Sequence, residues 1–285
     1  MATRVTAQSA NAALEIDGAN VGWLSSVEPA PMEMVPDAAT RGQRRLKLGE
    51  FKASQSVSGA GGLLDWALSV LRPAPLAANG AVVLADANFQ ARRRIDFTGG
   101  HITEVRFPAL DASLKQAFSV DVTWQPTTMA FSKATGAVLV PKAGKRKVWM
   151  CANFRVGGLP FDARFVTKVQ LPTITTQLSA ASGRKKAGVA SVSLGEVVIE
   201  VGASGIDGAL DYVNKVADDG LLTDAEFFDF SIELLDASLS KTLATLVFGG
   251  CGLLRAVAPK EGTASEAVKK FTLSFSVERF DLKLS

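Results

Sequence analysis

The chain of 285 residues is poor in the groups that most enzymes and disulfide-stapled modules depend on. It has one histidine, His101, set between Gly99-Gly100 and Ile102 in a strand-like pattern. A catalytic imidazole needs a nucleophile or carboxylate held beside it, and nothing in the sequence supplies one, so His101 reads as structural. Cys151 and Cys251 are the only cysteines, and neither lies near another metal-type ligand. That argues against a disulfide framework and against a structural zinc site. No G-x-G-x-x-G opens a helix after a strand, and no G-x-x-x-x-G-K-[ST] occurs, which removes the common phosphate cradles. Aromatic residues make up 7% of the chain. The longest near-apolar run, "TLATLVFGGCGLL", is 13 residues with three glycines, too short to span a bilayer as a helix. The N-terminus has no apolar signal core. The expectation is a cytosolically made, soluble, reduced protein with no membrane anchor, no cofactor and no metal.

Net charge is small but unevenly placed. Residues 1–132 balance 12 basic against 12 acidic side chains; 133–160 carry 6 basic and no acidic ones; 161–285 carry 13 basic and 16 acidic. The net +3 therefore comes from the middle segment. A basic stretch can bind polyanions, but a solvated loop or subunit contact is the simpler reading. Base stacking needs several aromatic platforms, and only Trp149 follows Lys147 here.

What the sequence has is a repeat. "LKLGEFKASQSVSGAGGLLDW" and "VSLGEVVIEVGASGIDGALDY" share Leu-Gly-Glu, an alternating stretch, small residues, then Asp beside an aromatic. Leu48 to Asp65 and Leu194 to Asp211 are both seventeen positions. We read a strand through each Leu-Gly-Glu, then a helix over "SGAGGLLDWALSVLRP", stopped by Pro73, and another over "SGIDGALDYVNKVADDG", with Ser204 as N-cap and Gly220 as C-cap. Upstream, the copies open at 14–29 and 161–172, followed by polar hairpins or loops at 30–45 and 173–188. Downstream, Asp86-Ala87 and Asp236-Ala237 mark hairpin turns, Phe97 before Gly99-Gly100 matches Phe248 before Gly249-Gly250, and Pro108 matches Pro259. The last strands, "AFSVDVTWQ" and "KFTLSFSVERF", alternate as half-buried strands do. A repeat of this length is no solenoid unit and reads as two domains of one fold: 1–132, a basic hairpin linker at 133–160, and 161–285.

The recurring carboxylates Glu50 and Glu196 read as strand-end residues that pair with a neighbour or another subunit. Asp65 and Asp211 sit on helices beside an aromatic, where a solvent-facing or capping role is ordinary. The Gly-Gly pairs suit a bulge or a close backbone approach.

The first copy resembles the tail tube proteins of contractile phages and phage-like contractile injection systems. The stretches that carry the resemblance are "LEIDGANVGWLSSVE", "GGLLDWALSVL", "GAVVLADANF" and "RIDFTGGHITEVRFPALDASLKQAFSVDVTW"; the second copy is similar in the same order, with Asp211-Tyr212 for Asp-Trp. The resemblance implies a mainly β fold, a barrel or sandwich with one flanking helix per domain. It implies six such domains closing into a ring around a channel, with rings stacked through a long loop. On that reading Arg41, Arg44, Arg45, Arg184, Lys185 and Lys186 belong to inter-ring loops, and Lys142, Lys145, Arg146 and Lys147 to a basic linker contact. Two fused domains imply that three chains make the ring, either as a repeating tube or as a hub or tube-initiator layer. Implied partners are further copies of itself and the sheath, baseplate or spike proteins of the same machine, with cargo or DNA passing through. The chain would assemble in the cytoplasm and end in a virion tail or injection particle. A polyanion- or sugar-binding β-sandwich is the reading from a different class.

Overall fold

The computed structural model describes residues 11–37, 42–59, 61–73, 77–138, 147–179, 188–219, 227–258 and 270–285. Its first half holds β1 (Asn11–Ile16), β2 (Ala19–Leu24), β3 (Ser26–Glu28), β4 (Met32–Pro36), β5 (Arg44–Leu48), β6 (Phe51–Ser56), α1 (Gly62–Leu68), β7 (Ala78–Ala85), β8 (Ala91–Arg106), β9 (Leu110–Asp111), β10 (Ser119–Gln125) and β11 (Thr128–Lys133). Its second half holds β12 (Phe154–Gly157), β13 (Val166–Gln170), β14 (Ile174–Ser179), β15 (Gly188–Leu194), β16 (Val197–Gly202), α2 (Ile206–Asp219), β17 (Phe228–Leu235), β18 (Thr242–Val257), β19 (Lys270–Ser276) and β20 (Arg279–Leu284). The fold is mainly β, as expected from the alternating stretches, with one principal helix in each half.

One sheet runs β2-β1-β7-β8-β10-β6-β3, with β11 also on β8; the other runs β12-β17-β18-β19-β16-β13, with β20 also on β18. The long strands β8 and β18 do the same work in each. The first part of β8 pairs with β7 and β11, and its last part pairs with β10. The first part of β18 pairs with β17 and β20, and its last part with β19. Each strand turns from one layer to the other at a glycine in the left-handed region, Gly99 (φ +58°) and Gly250 (φ +63°), where only a residue without Cβ is unstrained. A Cβ on Gly99 would also meet Thr127 Oγ1 at 2.4 Å, and one on Gly250 would meet Glu278 Oε2 at 2.5 Å. The amide of Gly99 donates to Asn79 Oδ1 (3.0 Å) and that of Gly250 to Asp229 Oδ1 (2.9 Å). The Gly-Gly pairs thus shape bends, and the matched glycines are the first of one pair and the second of the other.

The alternation read from sequence is burial alternation. Val120, Val122 and Trp124 of β10 face inward, as do Val197, Ile199 and Val201 of β16. Phe51 lies flat on Trp124, with centroids 4.9 Å apart and planes 4° apart, and Trp66 of α1 meets Trp124 edge-on at 5.3 Å. In the second half Phe230 stacks on Phe248 at 4.5 Å, and Phe228 meets Phe275 edge-on at 5.4 Å. Phe107 of the first half reaches the second cluster, 6.0 Å from Phe280, and lies 5.7 Å from Phe118.

Several local expectations change. Leu48-Gly49-Glu50 and Leu194-Gly195-Glu196 are breaks between two strands rather than strand interiors. Gly49 N–H donates to Pro31 O and Gly195 N–H to Thr173 O, both at 2.8 Å, so each glycine closes the base of the preceding hairpin. Ser204 lies in a 3-10 turn ahead of α2 and does not cap it; Gly220 lies outside the described residues. Within the segment read as a linker, β12 pairs with β17 as β1 pairs with β7. The side chain of Asn153 donates to Asp236 O as that of Asn11 donates to Asp86 O, at 3.2 and 3.0 Å. Phe161 lies outside any strand, and Ala163 and Phe165 fall in a 3-10 turn. β11 and β20 are further strands beyond the ones read as last.

Candidate functional site

Each half lends a strand to the other's sheet. β14 of the second half lies on the last part of β8, with Ile174 opposite Val105 and Thr175 opposite Glu104. Ile174 and Val105 are both fully buried, and the Thr176 hydroxyl donates to the carbonyl of Ile102. In return β9 of the first half lies on β13, with Leu110 opposite Val169 and Asp111 opposite Lys168. The exchange satisfies edge amides and carbonyls that would otherwise face water or another chain. Nearby, Glu200 accepts from Lys270 (2.9 Å) and Lys168 (3.2 Å). Burial raises its pKa, but the two lysines outweigh that and hold it below the usual glutamate value.

The same elements occur elsewhere without such partners. Hairpin β4–β5 holds the place in the first half that β14–β15 holds in the second: Met32 pairs with Leu48 as Ile174 pairs with Leu194. Among the described residues β4–β5 is a two-stranded sheet by itself, an arrangement of marginal stability alone. Met32 is 41% exposed where Ile174 is 0%, and Met34 is 57% exposed where Thr176 is 9%. Leu46 on β5 is 52% exposed. Among the described residues the last part of β18 is likewise unpaired on the side where β8 receives β14, and Leu254, Arg255, Ala256 and Val257 are exposed. β3 is paired on one side only, by β6, among the described residues. Among the described residues one chain thus presents an unmatched hairpin and an unmatched strand edge, each shaped like half of a contact already made inside it.

Of the residues singled out as inter-ring contacts, Arg44 and Arg45 are exposed on β5, beside this hairpin's apolar face. Arg41, Arg184, Lys185 and Lys186 lie outside the described residues. So do Lys142, Lys145 and Arg146 of the basic segment. Lys147 is exposed and lines a cleft of about 930 Å³ with Trp149, Met150, Leu235 and Leu243. The strand exchange itself was missed in sequence, because edge pairing leaves no local mark on "TITTQLS" that distinguishes it from an exposed strand.

The candidate chemical groups are dispersed. Among the described residues no three His, Cys, Asp or Glu side chains gather where they could hold a metal ion. His101 is buried on β8. Glu50 accepts from the Thr103 hydroxyl at 2.8 Å, and Glu196 lies 4.0 Å from Arg255; both stand at strand ends, as read. Asp65 and Asp211 are exposed on their helices. No helix among the described residues is long and apolar enough to cross a membrane. Cys151 and Cys251 are fully buried, and desolvation raises their pKa values to about 11 and about 12. The thiolate is the reactive form, so at pH 8 only about one Cys151 in a thousand is ionised. We expect iodoacetamide to label neither cysteine of the native protein within an hour at pH 8 and both in denaturant, read by intact mass; prompt labelling of the native chain would contradict the burial of both.

No family model and no curated protein matches the chain. Solved structures similar to part of it include a chain of the anti-feeding prophage cap that terminates the tube, at 13% identity over 47% of this chain and 89% of that one, with a TM-score of 0.38. A chain of the sheath–tube complex of the PVC extracellular contractile injection system in its extended state is 15% identical over 47% of this chain and 89% of that one, with a TM-score of 0.38. Hcp1 from Flavobacterium johnsoniae is 15% identical over 46% of this chain and 95% of that one, with a TM-score of 0.29.

Proposed function

We propose that the chain is a structural subunit of a phage tail or contractile injection machine, built as a tandem duplication of a tube-like domain, and that it assembles with itself into a ring. The observation that carries this reading is the recurrence of one strand order, with the same bends and the same side-chain hydrogen bonds, in two halves that interlock by exchanging edge strands. A contact between two like units with different surfaces is heterologous, and repeating it yields a closed ring or an open filament. The sequence resemblance to tail tube proteins implies six units to the turn, so three chains close a pseudo-sixfold ring. In this arrangement the second unit takes its first strand from the 133–160 segment, and the remainder of that segment links the two. The ring is passive: it needs edges, hairpins and a rigid core, and no reacting groups.

The same reading makes sheath, baseplate or spike proteins the natural partners above and below the ring, with Arg41, Arg44, Arg45, Arg184, Lys185 and Lys186 toward the next layer. A hub or initiator layer follows if rings of three chains form but do not stack. Native mass spectrometry across a concentration series tests the proposal: a species of three chains supports it, and a monomer persisting at hundreds of micromolar overturns it.

A further inference from the structure

We infer that β4 of one chain docks as an added strand on the open edge of β18 in the next chain, in antiparallel register with Met32 opposite Ala256 and Glu33 opposite Arg255. The inference rests on the ring proposed above and gives its contact at residue level.

The register follows from pairings within the chain. Ile174 and Thr175 sit opposite Val105 and Glu104 at the internal junction. Hairpin β4–β5 places Met32 where β14–β15 places Ile174, and Glu33 where it places Thr175. On the receiving side, Val122 pairs with Val105 and Thr123 with Glu104. Val122 is opposite Ala53 and Leu273 is opposite Ile199, equivalent positions of β6 and β16. Leu273 pairs with Ala256 and Ser274 with Arg255. Ala256 therefore stands for Val105 and Arg255 for Glu104. Even the irregularity matches: β8 skips one residue at Thr103, and β18 skips one at Leu254.

Side-chain chemistry supports this occupant over others. The donor hairpin exposes Met32, Met34 and Leu46, and the acceptor edge exposes Leu254 and Val257, so docking covers apolar groups on both. A carboxylate meets a guanidinium across the strands, and an opposed pair of opposite charge is favourable. The same hairpin set on β8 of another copy would bring Glu33 against Glu104, and like charges directly opposite are disfavoured. Glu33 therefore does two things: it favours the edge of the second half and rejects that of the first. The halves alternate around the ring, and the internal junction is not exchanged for the external one.

The test is disulfide trapping in the full chain. Residues directly opposite on antiparallel strands are close enough to bridge. In the E33C/R255C variant, mild oxidation is expected to give dimers and trimers on a non-reducing gel, with a covalently closed trimer as the end product. E33C/E104C is the control for wrong pairing and is expected to stay uncrosslinked between chains, because β14 of the same chain already covers that edge of β8. In parallel, R255E is expected to weaken assembly roughly tenfold per junction, and E33R/R255E to restore it. Assemblies of the E33C/R255C variant that form without a crosslink between chains would overturn this register while leaving the ring proposal standing. A chain that stays monomeric before any substitution would overturn both. Crosslinking of E33C/E104C equal to that of E33C/R255C would overturn the choice of β18 as the acceptor edge, and R255E assembling as well as the unaltered chain would overturn the role assigned to Glu33.

Discussion

Replacing Trp124 with alanine is expected to cost about 3–5 kcal/mol of folding stability, the range for removing a large aromatic side chain from a packed core. Trp124 is fully buried. It lies on Phe51 and against Trp66 and Phe97, so it joins strands β10, β6 and β8 to helix α1. No small shift of one neighbour can refill that volume, because the residues around it belong to different elements. Trp124→Phe is expected to cost only about 1 kcal/mol. The second half uses Phe275 at the matching position, and the indole N–H of Trp124 has no hydrogen-bond partner that would be forfeited. Denaturant melts monitored by tryptophan fluorescence and by circular dichroism would read both; a loss for the alanine variant no larger than that for the phenylalanine variant would contradict the packing described.

Ile174→Asp is expected to have an effect as large, by a different route. Ile174 has no exposed surface and faces Val105 across the junction between the halves. A carboxylate there is buried without a partner, which costs about 4 kcal/mol or more unless the strand leaves. The strand has somewhere to go: β14–β15 can lift away as a hairpin, to the state in which β4–β5 is seen. The expected result is a folded chain whose β8 edge has opened, with fast amide exchange at whichever of Glu104 and Val105 points its N–H toward β14 rather than β10, and slow exchange retained in β10 and β19. Unchanged protection of that amide would show that Ile174 does not hold the junction. The matching change at the exposed counterpart, Met32→Asp, is expected to leave the monomer's stability within about 0.5 kcal/mol.

Much of the architecture is legible in the sequence where the signal is local. The seventeen-residue spacing from Leu48 to Asp65 and from Leu194 to Asp211 marks the same strand-to-helix step twice. Asp86 and Asp236 each take backbone amides of their own turns, Gln90 at 3.0 Å and Lys241 at 3.2 Å, which is why the residue type recurs. Phe97 and Phe248 recur as buried side chains two residues before their bends. Strands with weak local signal are less visible. β12 has four residues, one of them Arg155 and one Gly157, and β11 is exposed at most positions, so neither shows clean alternation. The Leu-Gly-Glu break is hidden because strands on either side alternate in the same sense.

The strand exchange lies further from reach. It depends on which edge meets which hairpin, a property of tertiary arrangement rather than of neighbours in sequence. Thr176 and Met34 occupy equivalent positions, yet one is covered and the other is not, and nothing within "TITTQLS" or "MEMVP" states that difference. It is carried by β8 and β18, both far from these hairpins along the chain. Charge in the sequence points to the exposed Arg44, Arg45 and Lys147; the apolar hairpin face beside Arg44 and Arg45 is visible only in the fold.

Electron microscopy of the purified chain tests the central claim most directly. Ring-shaped particles are expected, whose class averages show six similar lobes from three chains, with neighbouring lobes alternating between the two halves. Particles of one chain with two lobes, or assemblies whose lobes are not related by a near-sixfold rotation, would contradict it.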